Sequence, residues 1–408
     1  MAVTATDIHR TIQAVFRIEQ AKLIASLARI TRDVGLAEEL AQDALVAALE
    51  EWPRTGVPDR PGAWLTAAAK HRAIDHFRRM RLAERKHGEI GQEQQSLERD
   101  MPDFDSALDD DIGDDLLRLI FTACHPVLSP EARAALTLRL LGGLTTDEIA
   151  RAYLVAEPTI AQRIVRAKRT LSDAGVPFEV PHGDDRGERL ASVLDVIYLV
   201  FNEGYAATAG GDWIRPQLAE EALRLGRVLA GLAPLEPEVH GLVALMEIAA
   251  SRFGARTGPD GEPILLLDQN RARWDQLLIR RGLAALALAE SLGGEPGPYR
   301  LQAAIAACHA RARVAEDTDW PRIVALYGAL AELMPSPVIE LNRAVAVGMA
   351  SGPAAALELV DVLNAEPALK SYHLLPSVRG DLLTKLGRHG EDLLPAHAGA
   401  AVRALDAG

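Results

Sequence analysis

Residues 129–172 read SPEARAALTLRLLGGLTTDEIARAYLVAEPTIAQRIVRAKRTLS, three helical patterns in close succession. Ser129 suits an N-cap and Pro130 the first helical position. A GGL break follows, and then Thr145 and Glu148 stand at the spacing of a capping box. In the third pattern Ile160, Ile164, Ala167 and Leu171 recur at i, i+4, i+7 and i+11, which leaves Thr159, Gln162, Arg163, Arg166 and Arg169 on the opposite face. The whole reads as a helix-turn-helix whose last helix carries side chains suited to base edges and phosphates in a major groove. A small helical bundle with a basic surface helix fits the same pattern.

Upstream, LAEELAQDALVAALEEW (residues 36–52) places Leu36, Leu40, Ala44, Ala47, Ala48 and Trp52 on one broad face. Glu38, Glu39, Gln42, Asp43 and Glu50 gather on the other. Taken alone, that face is what any solvated core helix shows. Past the turn PRTGVPDRPG, the helix AWLTAAAKHRAIDHFRRMR buries Ala73, Ile74 and Phe77 and points His71, Arg72, Asp75, His76 and Arg79 elsewhere. Asp75 and Arg79 lie one turn apart, so an intrahelical ion pair explains them as well as DNA does.

Charge is segregated along the chain. Between Trp64 and Gly88 the bases Lys70, Arg72, Arg78, Arg79, Arg81, Arg85 and Lys86 face only Asp75 and Glu84, whereas almost every charge in residues 89–115 is acidic. Arg163, Arg166, Lys168 and Arg169 then follow with no acid among them. Two basic helical patches joined by an acidic, Gln-rich, flexible linker are expected. The formal net charge of -13 argues against a nucleic-acid partner, but its distribution matters more than its sum.

The 408 residues allow two to four domains at roughly 100–200 residues each. Hydrophobic residues make up 49% and aromatics only 4%, a balance that favours an all-α protein. Cys124 and Cys308 form no CxxC pair, so neither a disulfide framework nor a metal site is expected, and Cys124 beside His125 reads as a buried structural cysteine. No leader pattern and no apolar run of membrane-spanning length occur, which leads us to expect a soluble, cytoplasmic chain with no membrane partner.

The segment DAGVPFEVPHGDDRGE (173–188) marks a further boundary. Amphipathic helices follow near 188–206, 215–231, 236–252, 270–291, 299–314, 319–333 and 337–348. LNRAVAVGMASGPAAALELVDVL and YHLLPSVRGDLLTKLGRHGEDL look like weakly repeated helix pairs near the tetratricopeptide period of about 34 residues. Residues 188–408 read as a helical array, with the ending LLPAHAGAAVRALDAG less helical.

DVGLAEELAQDALVAALEEWP with PGAWLTAAAKHRAIDHFRRMR resembles region 2, and LRLIFTACHPVLSPEARAALTLRLLGGLTTDEIARAYLVAEPTIAQRIVRAKRTL resembles region 4, of the extracytoplasmic-function sigma-70 RNA polymerase sigma factors. VLDVIYLVFNEGYAATAG, EEALRLGRVLAGL, GPYRLQAAIAACHA, DTDWPRIVALYGAL and PSPVIELNRAVAV are similar to the extension of one subgroup. The resemblance implies an all-α chain: a region 2 bundle (1–88), an acidic linker (89–115), a region 4 helix-turn-helix (116–173), a short linker (174–187) and a tetratricopeptide-like extension (188–408). It implies core RNA polymerase and promoter DNA as partners, with no catalysis, cofactor or metal.

Residue by residue, the helix Leu36–Glu51 matches the surface that grips the clamp helices of the polymerase β′ subunit, through Glu38, Glu39, Gln42 and Asp43. Region 4 is expected at the β flap. The helix Trp64–Arg79 matches the part that captures and melts the minus-ten element. Lys70, Arg72, Arg78 and Arg79 would follow phosphates there, while exposed side chains and the adjoining loop hold an unstacked base; His71, Asp75 and His76 complete the minus-ten candidates. The family usually has Asn where His71 stands, so the preference at that element is expected to differ.

The helix Pro158–Leu171 matches the reader of the minus-thirty-five element, through Thr159, Gln162, Arg163, Arg166, Lys168 and Arg169. The acidic linker matches the segment that runs through the polymerase cleft. The extension is expected to act as an intramolecular partner of the sigma core, with Asn202, Glu203, Tyr205 and Trp320 as candidate contacts.

Two other readings compete. A helix-turn-helix regulator with a ligand-sensing helical domain would have no use for the region-2-like residues 10–88. An enzyme in residues 188–408 would use Asn202, Glu203, Tyr205, Gln269, Arg271, Trp274, Tyr299, Asp319 and Trp320 as pocket residues, though they read first as buried polar anchors. No HExxH, GxSxG or P-loop string accompanies them.

Overall fold

Asp33 separates the first two helices, α1 (Ala5–Thr31) and α2 (Val34–Thr55): its carboxylate accepts from Leu36 N at 3.0 Å, an amide that the helix cannot itself satisfy. The computed structural model describes residues 5–87, 112–153, 155–183, 185–205, 216–258, 264–366, 369, 372 and 374–388. The protein is all-α, with no strand among the described residues. It divides into two units, residues 1–199 and 200–408.

In the first unit α1 packs against α2, α3 (Pro61–His87) and α4 (Ile112–Ala123). Ile12, Phe16, Ile24 and Leu27 of α1 are buried, as are Ala37, Ala41, Ala44 and Ala48 of α2. Trp52 meets Trp64 edge-on at 5.3 Å between ring centres and ties α2 to α3. The helix-turn-helix follows as α5 (Pro130–Leu140), α6 (Thr146–Ala152) and α7 (Glu157–Asp173). Ser129 caps α5. At the start of α6, Thr145 Oγ1 accepts from Glu148 N at 3.1 Å while the Glu148 carboxylate accepts from Thr145 N at 2.7 Å. Ile160, Ile164, Ala167 and Leu171 all point inward.

Two boundaries differ from those read in the sequence. Helix α4 begins at Ile112, so Asp114 and Asp115 are helical and Asp115 is buried, whereas residues 88–111 lie outside the described residues. The Pro/Gly-rich segment does not close the first unit either, because α8 (Asp185–Tyr205) returns to it. Arg189 donates to Phe121 O at 2.9 Å and Ser192 to Cys124 O at 2.6 Å, and the division falls inside α8, between Leu199 and Val200.

The second unit is an array in which most helices pack on their chain neighbours, with α12 lying mainly on α10: α9 (Pro216–Leu232), α10 (Pro237–Ala250), α11 (Gln276–Ser291), α12 (Pro298–Arg311), α13 (Trp320–Leu333), α14 (Pro337–Ser351), α15 (Pro353–Leu363) and α16 (Leu374–Lys385). Residues 270–275, expected to open α11, instead form a 3-10 turn at Arg271–Arg273 and the Asp275 cap. Residues 389–408, with the less helical ending, lie outside the described residues.

Helix α10 is buried from Val239 to Ala250, and Gly241 lets α12 lie against it. A Cβ at Gly241 would stand 2.8 Å from the Arg300 backbone nitrogen, which cannot swing away. Gly241→Ala is therefore expected to lower the stability of this unit by about 1–3 kcal/mol through overpacking. Urea unfolding of the full chain checks this; an unchanged midpoint would mean that α10 and α12 are not in that contact.

Candidate polymerase and nucleic-acid interface

The sequence-derived residues on α3 are mostly at the surface. His71, Asp75, Arg78 and Arg79 are exposed; Lys70, Arg72 and His76 are half-buried. Arg79 Nε donates to Asp75 O at 3.3 Å and Arg78 stands 3.8 Å from the Asp75 carboxylate, so Asp75 is engaged within its own helix. Arg72 reaches Asp43 of α2 at 3.9 Å, a long and solvated pair.

On α7, Thr159, Gln162, Arg166 and Arg169 are exposed and Arg163 is half-buried, all on the face opposite the apolar stripe. Lys168, expected with them, turns inward. Its ammonium pairs with Glu38 of α2, and Arg139 Nε of α5 donates to the same carboxylate at 2.6 Å. Glu38 was expected on the polymerase-facing surface and is only 4% exposed, whereas Glu39, Gln42 and Asp43 on its flank reach solvent. The correction has a physical reason: a carboxylate flanked by two cations loses less on leaving water than either charge would alone.

A second cluster joins the same halves. Asp115 of α4 is buried between Arg29 of α1, at 2.8 Å, and Arg118, at 2.6 Å. Burial holds its carboxyl above the usual range, and the two guanidinium groups only partly offset that. Gln20 donates to Arg139 O at 2.9 Å, and Arg17 lies 3.6 Å from Glu148. Region-2-like and region-4-like helices thus close on one another within the first unit. A cleft of about 680 Å³ remains at this seam, lined by Arg29, Arg32, Arg118 and Lys168 and by Asp33 and Glu179 among others.

Cys124 is buried, with Sγ 3.4 Å from Thr137 Oγ1, and burial pushes its thiol up to about 11. His125 accepts from Val127 N through Nδ1 at 3.1 Å; burial and the nearby Arg189 push it down to about 4. No cluster of three or more His, Cys, Asp or Glu suited to a metal occurs among the described residues.

Of the four extension residues, Asn202 and Glu203 are half-buried, while Tyr205 and Trp320 are interior to the second unit. Tyr205 stacks on Phe201 and receives Arg252 and Arg256; Trp320 packs against His309 and Ile323. Tyr205 and Trp320 therefore hold their own unit together, a correction to their place among presented contacts. Tyr299 N donates to Glu238 at 2.8 Å, and Asp319 caps α13 through Arg322 N at 3.0 Å.

Arg139, Arg29, Asp115 and His309 were missed. The available signal for Arg139 was a lone charge inside the apolar run LTLRLL; the others carried none.

Residues 15–82 match the family profile for Sigma-70 region 2, residues 118–171 that for Sigma-70 region 4, and residues 189–290 a family of unknown function, DUF6596. The chain is 45% identical over 370 residues to Uncharacterized protein R00370 of Rhizobium meliloti (strain 1021), covering 90% of this chain and 85% of the relative. It is 33% identical over 156 residues to the ECF RNA polymerase sigma factor SigL of Mycobacterium tuberculosis (strain H37Rv), covering 36% of this chain and 81% of the relative. No solved structure matches the chain. Among the described residues no helix is long and apolar enough to cross a membrane.

Proposed function

The chain belongs to the extracytoplasmic-function sigma factors of RNA polymerase, and from that premise we propose that it directs core polymerase to a specific set of promoters, with its helical extension regulating it in the same chain. The observation that carries this reading is α7, whose exposed Gln162, Arg166 and Arg169 stand out from a buried stripe fixed by two capped helices. Glu39, Gln42 and Asp43 would meet the β′ clamp helices, region 4 the β flap, and α3 the minus-ten element. Such a protein performs no bond chemistry; it works by binding.

The closed packing of the two halves sets a condition on this function. Elements centred about 25 base pairs apart, at 3.4 Å per pair, are separated by roughly 85 Å. A compact unit of 199 residues is only about 40 Å across. The first unit must open before α3 and α7 reach both elements, and Glu38 and Lys168 are then freed for polymerase and DNA.

Arg166→Ala and Gln162→Ala test the placement of the reader. Run-off transcription with core polymerase should fall by about 1–3 kcal/mol in promoter affinity for a base contact, with specificity relaxed at one position. If both folded variants use the promoter as the natural chain does, α7 is not the reader.

A further inference from the structure

The polar residues of the extension that promoter binding leaves unused gather at one place. Tyr205, at the end of α8, is 6% exposed; the Arg256 guanidinium lies 3.7 Å from its ring centre, and Arg252 donates to its hydroxyl. Arg271 bears electrostatically on the same Arg252 and donates to the carbonyls of His309 at 2.6 Å and Ala312 at 2.8 Å. It also stacks 5.0 Å from Trp274. His309 is buried edge-on to Trp320 at 5.3 Å.

Three buried polar atoms in this neighbourhood have no protein partner: Arg271 Nε, Trp274 Nε1 and His309 Nδ1. Buried polar groups are normally satisfied, so three orphans together call for an occupant. Neither Arg256 nor Arg271 has an ion pair among the described residues, and carbonyl acceptors do not neutralise a guanidinium. Ala312 also lines an open cavity of about 290 Å³ with Arg311, Arg313, Arg322, Asp317 and Asp319, which brings solvent to the edge of the cluster.

We propose that this cluster is a binding site for a small oxyanion, a carboxylate or phosphate group, which takes donors from Arg271 Nε and Trp274 Nε1 beside the charge of Arg252. The anion supplies a negative charge in hydrogen-bond reach of Arg271, on which Glu316 and Asp317 act without forming an ion pair, and the acceptors that the two orphan donors lack. Burial, with Arg252 and Arg271 nearby, holds the His309 ring neutral and so keeps a further positive charge out of the site. The proposal does not depend on the sigma reading, because its test is binding alone.

Titration calorimetry of the full-length chain with sodium phosphate and with sodium benzoate, against chloride at equal ionic strength, decides it. The natural chain should show saturable binding to one of the two salts, which also identifies the anion. Trp274→Phe keeps the ring and removes one donor, so it should weaken that binding about tenfold. Arg271→Lys should abolish it. Because Arg271 also ties chain segments together, Trp274→Phe decides the matter if Arg271→Lys does not fold. No binding beyond chloride in the natural chain, or natural affinity in folded Trp274→Phe, overturns the proposal.

Discussion

Glu38→Ala is expected to cost the first unit about 3–5 kcal/mol, more than an ordinary surface substitution would, because it leaves two mostly buried cations, Arg139 and Lys168, without a counter-charge. Their residual contact with solvent places the expected loss toward the lower end of that range. A carboxylate deletion on a solvated helix face would cost under about 1 kcal/mol. The triple change Glu38→Leu, Arg139→Met and Lys168→Leu should recover much of the loss, since well-packed apolar side chains often replace a buried ion cluster without penalty.

The same deletion should open the unit. Fluorescent labels on Glu50→Cys of α2 and Val165→Cys of α7, both exposed, should move apart in Glu38→Ala. Native Cys124 and Cys308 are buried and would escape labelling. A Glu38→Ala protein with natural stability and unchanged label separation would show that the cluster does not hold the halves together.

Acid should destabilise the second unit through His309. An unfolded histidine takes up its proton near pH 6.5, whereas burial, with Arg252 and Arg271 nearby, pushes folded His309 down to about 3. Between those values the unfolded chain binds more protons, so stability is fully present above pH 6.5 and falls as pH drops toward 3. The shift sets a ceiling of about 4–5 kcal/mol at 1.36 kcal/mol per unit. His125, pushed down to about 4 and less buried, adds a smaller loss of the same sign in the first unit.

Buried carboxyls raised above their usual range act the other way as they protonate, Asp115 in the first unit and Glu238 in the second. Urea unfolding of the natural chain and of His309→Gln from pH 7 to pH 4 separates the contributions. The variant should lose most of the pH dependence of the second unit; identical slopes would mean that His309 is not held neutral by the fold.

The helix-turn-helix was legible because its determinants are local. Ser129, Thr145 and Glu148 act within one turn, and the Ile160–Leu171 stripe follows helical period. The exposed bases of α3 and α7 were legible for the same reason. Glu38 and Lys168 were not: each sits at a position that helical period assigns to the outside, and only the approach of a helix more than a hundred residues away turns it inward. Asp115 was hidden in an acidic run whose composition masks the one carboxylate that meets Arg29. In the extension, Arg271 and Trp320 stood out as polar and aromatic residues, but their convergence on His309 depends on the packing of α12 and α13, which no local pattern encodes.

Transcription reconstituted from purified core RNA polymerase, the full-length chain and DNA fragments carrying candidate promoters, with 5′-end mapping, tests the central claim most directly. Transcripts should begin at a defined distance from a shared pair of upstream elements and should be absent with core polymerase alone. A folded chain that neither binds core polymerase nor adds any transcript to the core-only pattern would contradict it.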